Sequence, residues 1–201
     1  MEPLAQGILN FWFGPLDANG LVAKEKSDRW FQKDAAFDQE IRKKFEEYLQ
    51  PAAWGAFDRW NLHDDSRVAL LVLLDQFPRN IYRNDPKSFY FDQKALHISM
   101  EGIHSEHFLR VPVVYAYFSI MPTMHAESLE AQETGIAAFE RLLQAAAPGE
   151  LKEMLASALD YAKRHRDIIA QFGRFPHRNA ILGRDSRKEE LEFLQQPGSS
   201  F

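Results

Sequence analysis

Between Arg67 and Gln76 the chain reads R-V-A-L-L-V-L-L-D-Q, an unbroken apolar run from Val68 to Leu74 that closes on an aspartate. A helix carrying such a run has no polar face to offer solvent, so it must lie at the centre of the molecule with other elements packed around it. Asp64 and Asp65 precede the run and either can cap its first turn, while Pro78 limits its far end. A buried rod that ends in a carboxylate also needs a partner for that charge, because an unpaired buried charge is costly.

The remaining segments supply amphipathic walls for this rod. Phe37, Ile41, Phe45 and Leu49 recur every four residues behind a capping Asp34, and Pro51 stops that helix. Phe89, Leu96, Met100 and Ile103 mark another, and Pro112 opens V-V-Y-A-Y-F-S-I-M ahead of Pro122. Leu129, Ile136, Phe139 and Leu143 define a fifth helix, ended by Pro148-Gly149. Leu151, Leu155, Ala158, Ala162, Ile169 and Phe172 define a long sixth, closed by Gly173 in the position of a left-handed cap. A short seventh runs from about Arg187 to Gln196. No convincing stretch alternates with period two, and no Asn-Gly or Asp-Gly hairpin signal occurs. The expected fold is all-α, about seven helices in an antiparallel array, with residues 1–196 as one compact domain and 197–201 as a flexible tail.

Bulk properties narrow the function. The chain of 201 residues has no cysteine, which removes disulfides, thiolate metal sites and cysteine nucleophiles. Its net charge of -5 disfavours nucleic acid as a partner. That charge is uneven: eight Lys or Arg against two Asp lie between Lys163 and Lys188, leaving about -11 elsewhere. The start, M-E-P-L-A-Q-G, carries an acid where a secretory leader carries positive charge. The longest run free of strongly polar groups, Val111 to Pro122, is too short for a bilayer of roughly 30 Å. A soluble cytoplasmic protein is expected, with no membrane partner and with homo-oligomerisation left open.

Four residues break the apolar stripes: Asp75, Asp92, Gln132 and His165. Each needs a hydrogen bond or an ion pair. Two related turns offer partners, D-Q-F-P-R-N at 75–80 and G-R-F-P-H-R-N at 173–179. Arg79, Asn80 and Arg83 follow the first; Arg174, His177, Arg178 and Asn179 lie in the second, with Arg184 beyond it, and His125 and Glu127 follow Pro122. Two uses of these arginines compete. They can clamp helix ends through two-point bonds to Asp75, Asp92 and Glu127, or, since they outnumber those carboxylates, they can hold an anionic ligand.

Other chemistries lack their signatures. No spacing among the seven histidines matches a strong metal motif, so neither metal nor cofactor is expected, and His104 and His107 read as solvated loop residues. No Gly-x-Ser-x-Gly elbow or glycine-rich phosphate loop is present. What survives is acid–base work by His125 or His165 with Asp75 or Glu127 as its orienter. The aromatic residues Phe11, Trp12, Phe13, Trp30 and Phe31 read either as a core lid or as a partner-binding patch.

F-W-F-G, W-F-Q-K-D, L-L-D-Q-F-P-R-N-I-Y-R, M-P-T-M-H-A-E-S-L-E-A-Q and F-G-R-F-P-H-R-N-A-I-L-G-R, followed by E-E-L-E-F-L, run in order between residues 8 and 194. Together they resemble domain-of-unknown-function family 924 of bacteria. The resemblance implies an all-helical, tetratricopeptide-like fold and brings no established activity. Two departures stand out. The family pattern P-x-x-H-S-E-D is here His125-Ala126-Glu127-Ser128, and its Ser-Thr before the last helix is Ser186-Arg187.

Three functions follow as expectations. The first is a binding protein for a small anion or an acidic peptide end, with Arg79, Arg178 and Arg184 holding charge and Asn80, Asn179 and Gln132 orienting it; Arg83, Asp92, Arg174 and His177 complete the site. The second is an enzyme using His125, His165, Asp75 and Glu127 in the same pocket. The third is a protein-interaction scaffold working through a helical groove or the N-terminal aromatics.

Overall fold

Val68 through Asp75 are each at most 1% exposed, and the rest of the molecule is wrapped around them. The computed structural model describes residues 2–200. Its helices are α1 (Pro3–Trp12), α2 (Lys24–Ser27), α3 (Ala35–Ala53), α4 (Asp64–Leu71), α5 (Phe77–Ile81), α6 (Asp92–His104), α7 (Val113–His125), α8 (Leu129–Ala145), α9 (Glu150–Phe172) and α10 (Lys188–Phe193). Among the described residues β-pairing is limited to one isolated bridge between Leu16 and Val22, and no helix is long and apolar enough to cross a membrane. The seven expected helices are all present, α4 and α5 forming one of them; α1 and the one-turn α2 are additions.

α4 and α5 are joined by a π turn, Val72–Gln76, in which the Phe77 N–H donates to the carbonyl of Val72 five residues back. The sequence suggests that Pro78 ends the helix, whereas the chain stays helical to Ile81. In a regular α-helix the Pro78 ring would collide with the carbonyl of Leu74. The widened turn moves that carbonyl aside, so the proline sits in the first turn of α5 without breaking the rod. Pro51 and Pro122 likewise lie inside helices, near the end of α3 and within α7. The Ser99 and Thr123 hydroxyls donate to the carbonyls of Ser119 and Ile120 just before or beside Pro122, and α7 runs on to His125.

Other sequence signals appear as expected. Asp34 caps α3 by accepting from the backbone N–H groups of Ala36 and Phe37. Gly173 closes α9 in the left-handed region at φ 71°. α7 is the hub, packing on α4, α6, α8 and α9. Its approach to α8 depends on Gly135, where a Cβ would stand 1.9 Å from the Thr123 hydroxyl oxygen. Trp12 and Trp30 are buried and stacked on one another with ring centroids 6.2 Å apart, so these two tryptophans belong to the core rather than to a surface patch. His107 is not solvated as its sequence context suggests: it is fully buried, with Nε2 2.8 Å from the Asp64 carbonyl at the start of α4. In the segment expected as a tail, Ser199 is buried and its hydroxyl donates to the Leu194 carbonyl.

Candidate functional site

The two Phe-Pro turns converge on the end of α7. In the first, Asp75 is buried at 1% exposure inside the π turn, and every acceptor it offers is used. His125 Nδ1 lies 2.7 Å from Oδ1, the Gln76 amide donates to Oδ2 at 2.6 Å, and Arg79 donates to the backbone carbonyl at 2.7 Å. Arg79 also grips Asp92 with both terminal nitrogens, at 2.8 and 2.9 Å. Burial pushes the Asp75 carboxyl up, but the charge of Arg79, helped by the hydrogen bonds from His125 and Gln76, outweighs it and holds it down at about 2. Asn80 and Arg83 turn away to a carboxylate on α3, Asp38, at 2.9 Å from Asn80 and 2.5 and 2.9 Å from Arg83.

In the second turn Phe175 is fully buried, and its N–H donates to Glu127 at 2.8 Å. Arg184 closes on the same carboxylate at 2.6 and 2.9 Å and reaches Asn179 Oδ1 at 3.0 Å. Arg174 takes Glu190 at 2.7 and 2.8 Å, and the Asn179 amide donates to it at 3.2 Å. Glu190 also accepts the Arg187 N–H at the start of α10, and these donors, led by Arg174, hold its carboxyl at about 2. Ser128 accepts from the Ala131 N–H as the cap of α8. Ser and Asp cap equally well. Ser128 thus has a mechanical role in this chain.

Arg178 is the exception. It is 7% exposed and sandwiched between Phe89 and Phe175, its guanidinium carbon 4.7 and 4.4 Å from their ring centres. It donates to the His125 carbonyl at 3.0 Å, stands 3.9 Å from Asp92, and has a sealed Nε with no hydrogen-bond partner. Burial, then repulsion from Arg79, lowers it to about 10. On the other side of the same strand of backbone, the Gln132 amide donates to the carbonyls of Met124 and Ala126, at 2.7 and 2.9 Å, while its Oε1 is buried without a donor.

Three imidazoles surround this arginine. His165 places Nδ1 2.8 Å from the Tyr161 carbonyl and packs against Phe175; burial lowers it to about 3. His177, also against Phe175, is lowered to about 4 by burial and then by Arg178. Burial and then Arg79 push His125 down, so it is neutral near pH 7. With Asp75 ionised, Nδ1 of His125 carries the proton and Nε2 the lone pair. No hydrogen bond within the described residues engages that Nε2, and the side chain keeps 17% of its surface exposed. An imidazole oriented by a carboxylate in this way is equipped to accept a proton.

The site residues named from sequence thus fall into three groups. Asp75, Arg79, Asp92, His125, Gln132, His165, His177 and Arg178 gather around the end of α7. Arg174, Asn179, Arg184 and Glu127 brace the second turn, and Asn80 and Arg83 tie α5 to α3. Sequence reasoning missed Asp38, Glu190, Gln76 and Phe89. Two of these left a signal: Asp38 lies three and seven residues before Ile41 and Phe45, and Glu190 three and four before Phe193 and Leu194, so each shares its helix's apolar face. Two surface clefts lie away from His125. One, of about 100 Å³, is lined by Phe11, Trp12, Lys26, Arg29, Phe37 and Glu40; the other, of about 150 Å³, by Asp58, Asn61, Lys94, His97, Ile98 and Glu101. Among the described residues no three His, Asp or Glu side chains are placed to hold a metal ion.

Fold and cluster define an all-α protein built around a buried aspartate–histidine pair. The chain belongs to the bacterial family of proteins of unknown function DUF924, whose model matches residues 8–198. A solved structure of a protein of unknown function from Agrobacterium tumefaciens is similar to it at 35% identity, covering 96% of this chain and 97% of that one with a TM-score of 0.79. Among curated proteins none matches.

Proposed function

We propose that this protein binds a small anion against Arg178 and the Nε2 face of His125, and that the His125–Asp75 pair exchanges a proton with it. The observation that carries this reading is Arg178. Arg79, Arg83, Arg174 and Arg184 each form two-point bonds to a carboxylate, whereas Arg178 is buried with an idle Nε and its nearest carboxylate oxygen at 3.9 Å. A buried guanidinium with unspent donors beside a neutral, carboxylate-oriented imidazole matches the needs of a ligand that brings negative charge and a proton-accepting or proton-donating group. The five-arginine pocket expected from sequence contracts in this reading to Arg178 and His125, supported by Arg79, Asp92 and Asp75. Burial of Trp12 and Trp30 weighs against the tryptophan-dependent interaction scaffold.

The test uses inorganic phosphate as probe and the side-chain ¹H–¹⁵N signals of His125 as readout. Phosphate is expected to perturb His125 saturably and to raise its titration midpoint; Arg178→Ala abolishes the response while the unfolding midpoint barely moves. Equal loss of binding and stability would return Arg178 to a structural role. The 2.7 Å contact between His125 and Asp75 favours a second reading, general acid–base catalysis on the bound anion. Turnover of a phosphoester that survives replacement of both His125 and His165 rules that out.

A further inference from the structure

We infer a second, independent ligand site in the cleft of about 100 Å³ between α1, α2 and α3, built to take a small monocarboxylate. Its aromatic walls are Phe11, Trp12 and Phe37, and its charged residues are Lys26, Arg29 and Glu40. Trp12 is 1% exposed, yet its indole N–H has no hydrogen-bond partner. A buried indole N–H nearly always finds an acceptor, and this one lies on a residue that lines the cleft. An indole can only donate, so whatever completes it is an acceptor and not a cation.

The neighbouring cations are arranged for the same kind of guest. The Arg29 guanidinium carbon stands 3.9 Å from the centre of the Phe37 ring. Its nearest carboxylate oxygens, on Asp34 and Glu40, are 3.7 and 4.0 Å away, and no hydrogen bond within the described residues uses its guanidinium. Arg79, Arg83, Arg174 and Arg184, by contrast, meet their carboxylates at two points at 2.5–2.9 Å. Lys26 donates to the Phe11 carbonyl at 2.9 Å, which leaves further ammonium protons for a guest. Lys26, Arg29 and Glu40, together with Asp34 beside Arg29 and Lys44 near the Phe11 ring, sum to a single positive charge, which matches a monoanion better than a dianion. The planar guanidinium fits the two oxygens of a carboxylate, and the rings accept a short alkyl chain.

The experiment follows the indole ¹H–¹⁵N signals of the four tryptophans, assigned through the backbone, as sodium propionate is added. The Trp12 signal is expected to shift saturably with propionate and to ignore propionamide, which has the same shape without the charge. Arg29→Gln, a change at a surface residue, weakens the response by about tenfold or more, and Arg178→Ala leaves it unchanged, which separates this site from the one at His125. A Trp12 signal that stays still in propionate overturns the assignment. So does one that moves equally with propionamide or in the Arg29→Gln protein.

Discussion

The two Phe-Pro turns share a sequence but not a conformation. In D-Q-F-P-R-N the phenylalanine and proline continue a helix across a π turn; in G-R-F-P-H-R-N the chain leaves α9, crosses an extended Phe175 and re-enters a single 3-10 turn, Pro176–Arg178. In the second turn the proline opens a helical turn, a position where its missing N–H is harmless, whereas in the first it sits inside the rod and the π turn accommodates it. Each then presents an arginine to Asp92 and to the face of Phe89. The difference lies in charge balance. Arg79 reaches Asp92 with two hydrogen bonds and lies 3.3 Å from Asp75, whereas Arg178 comes second to Asp92 and stays 3.9 Å away. One turn is locked by its ion pairs; the other holds a guanidinium in reserve.

Replacing Arg79 strikes the locked turn directly. Arg79→Met strands Asp75 and Asp92 without their main counter-charge, and breaking a buried pair in this way costs about 3–5 kcal/mol. Urea unfolding monitored by far-ultraviolet circular dichroism reads the loss. A cost below about 1 kcal/mol would mean that the first turn is no more dependent on its charges than a surface ion pair.

Acid separates the turns by pH. His165 and His177 have folded values of about 3 and about 4 against an ordinary 6.5, and His125 is lowered too. Below pH 6.5 the unfolded chain therefore binds protons that the folded chain refuses, and stability falls as pH drops towards 4 and then 3. Asp75, held at about 2 against 3.8, keeps its contribution above pH 3.8 and loses it only as pH falls from there towards 2. The expected loss between pH 6.5 and 4 is on the order of 2–3 kcal/mol for each of His165 and His177, with protection of the Phe175 amide against hydrogen exchange failing before that of Phe77. Loss of the Phe77 amide's protection first would reverse the assignment.

Arg178→Met is the mildest of the three. It removes a buried charge that no carboxylate contacts directly, so stability is expected to change by less than about 1 kcal/mol or to rise. The same urea series that weakens Arg79→Met thus leaves Arg178→Met intact. A loss equal to that of Arg79→Met would show that the 3.9 Å approach to Asp92 is as important as the two-point bond.

Much of this contrast was hidden in the sequence for physical reasons. Phe37, Ile41, Phe45 and Leu49, the Asp34 cap and the Gly173 stop were legible because helix period and capping are local. The π turn was not: an uninterrupted apolar run from Val68 to Leu74 carries no phase, so nothing marks where the winding widens. Pro51, Pro78 and Pro122 read as terminators because a lone proline signals a break, while the widened turn that accommodates Pro78 depends on how the folded rod is wound. Asp75 and His125 were each singled out, but their pairing spans 50 residues and depends on how α4 meets α7. The arginine surplus looked larger than it is because Asp38 and Glu190, polar residues on apolar faces, were not counted among the inward carboxylates.

The widened turn at Val72–Gln76 acts as an inserted step in the rod's winding. One residue more than the α-helix requires rotates everything beyond it by about 100° relative to an unbroken helix. Arg79 and Asn80 face Asp92 and Asp38 because of that offset. The winding of this segment thus sets that bearing: an exchange of one apolar residue for another leaves α5 where it is, whereas regular α winding of the same residues would turn both side chains away from the carboxylates they now hold.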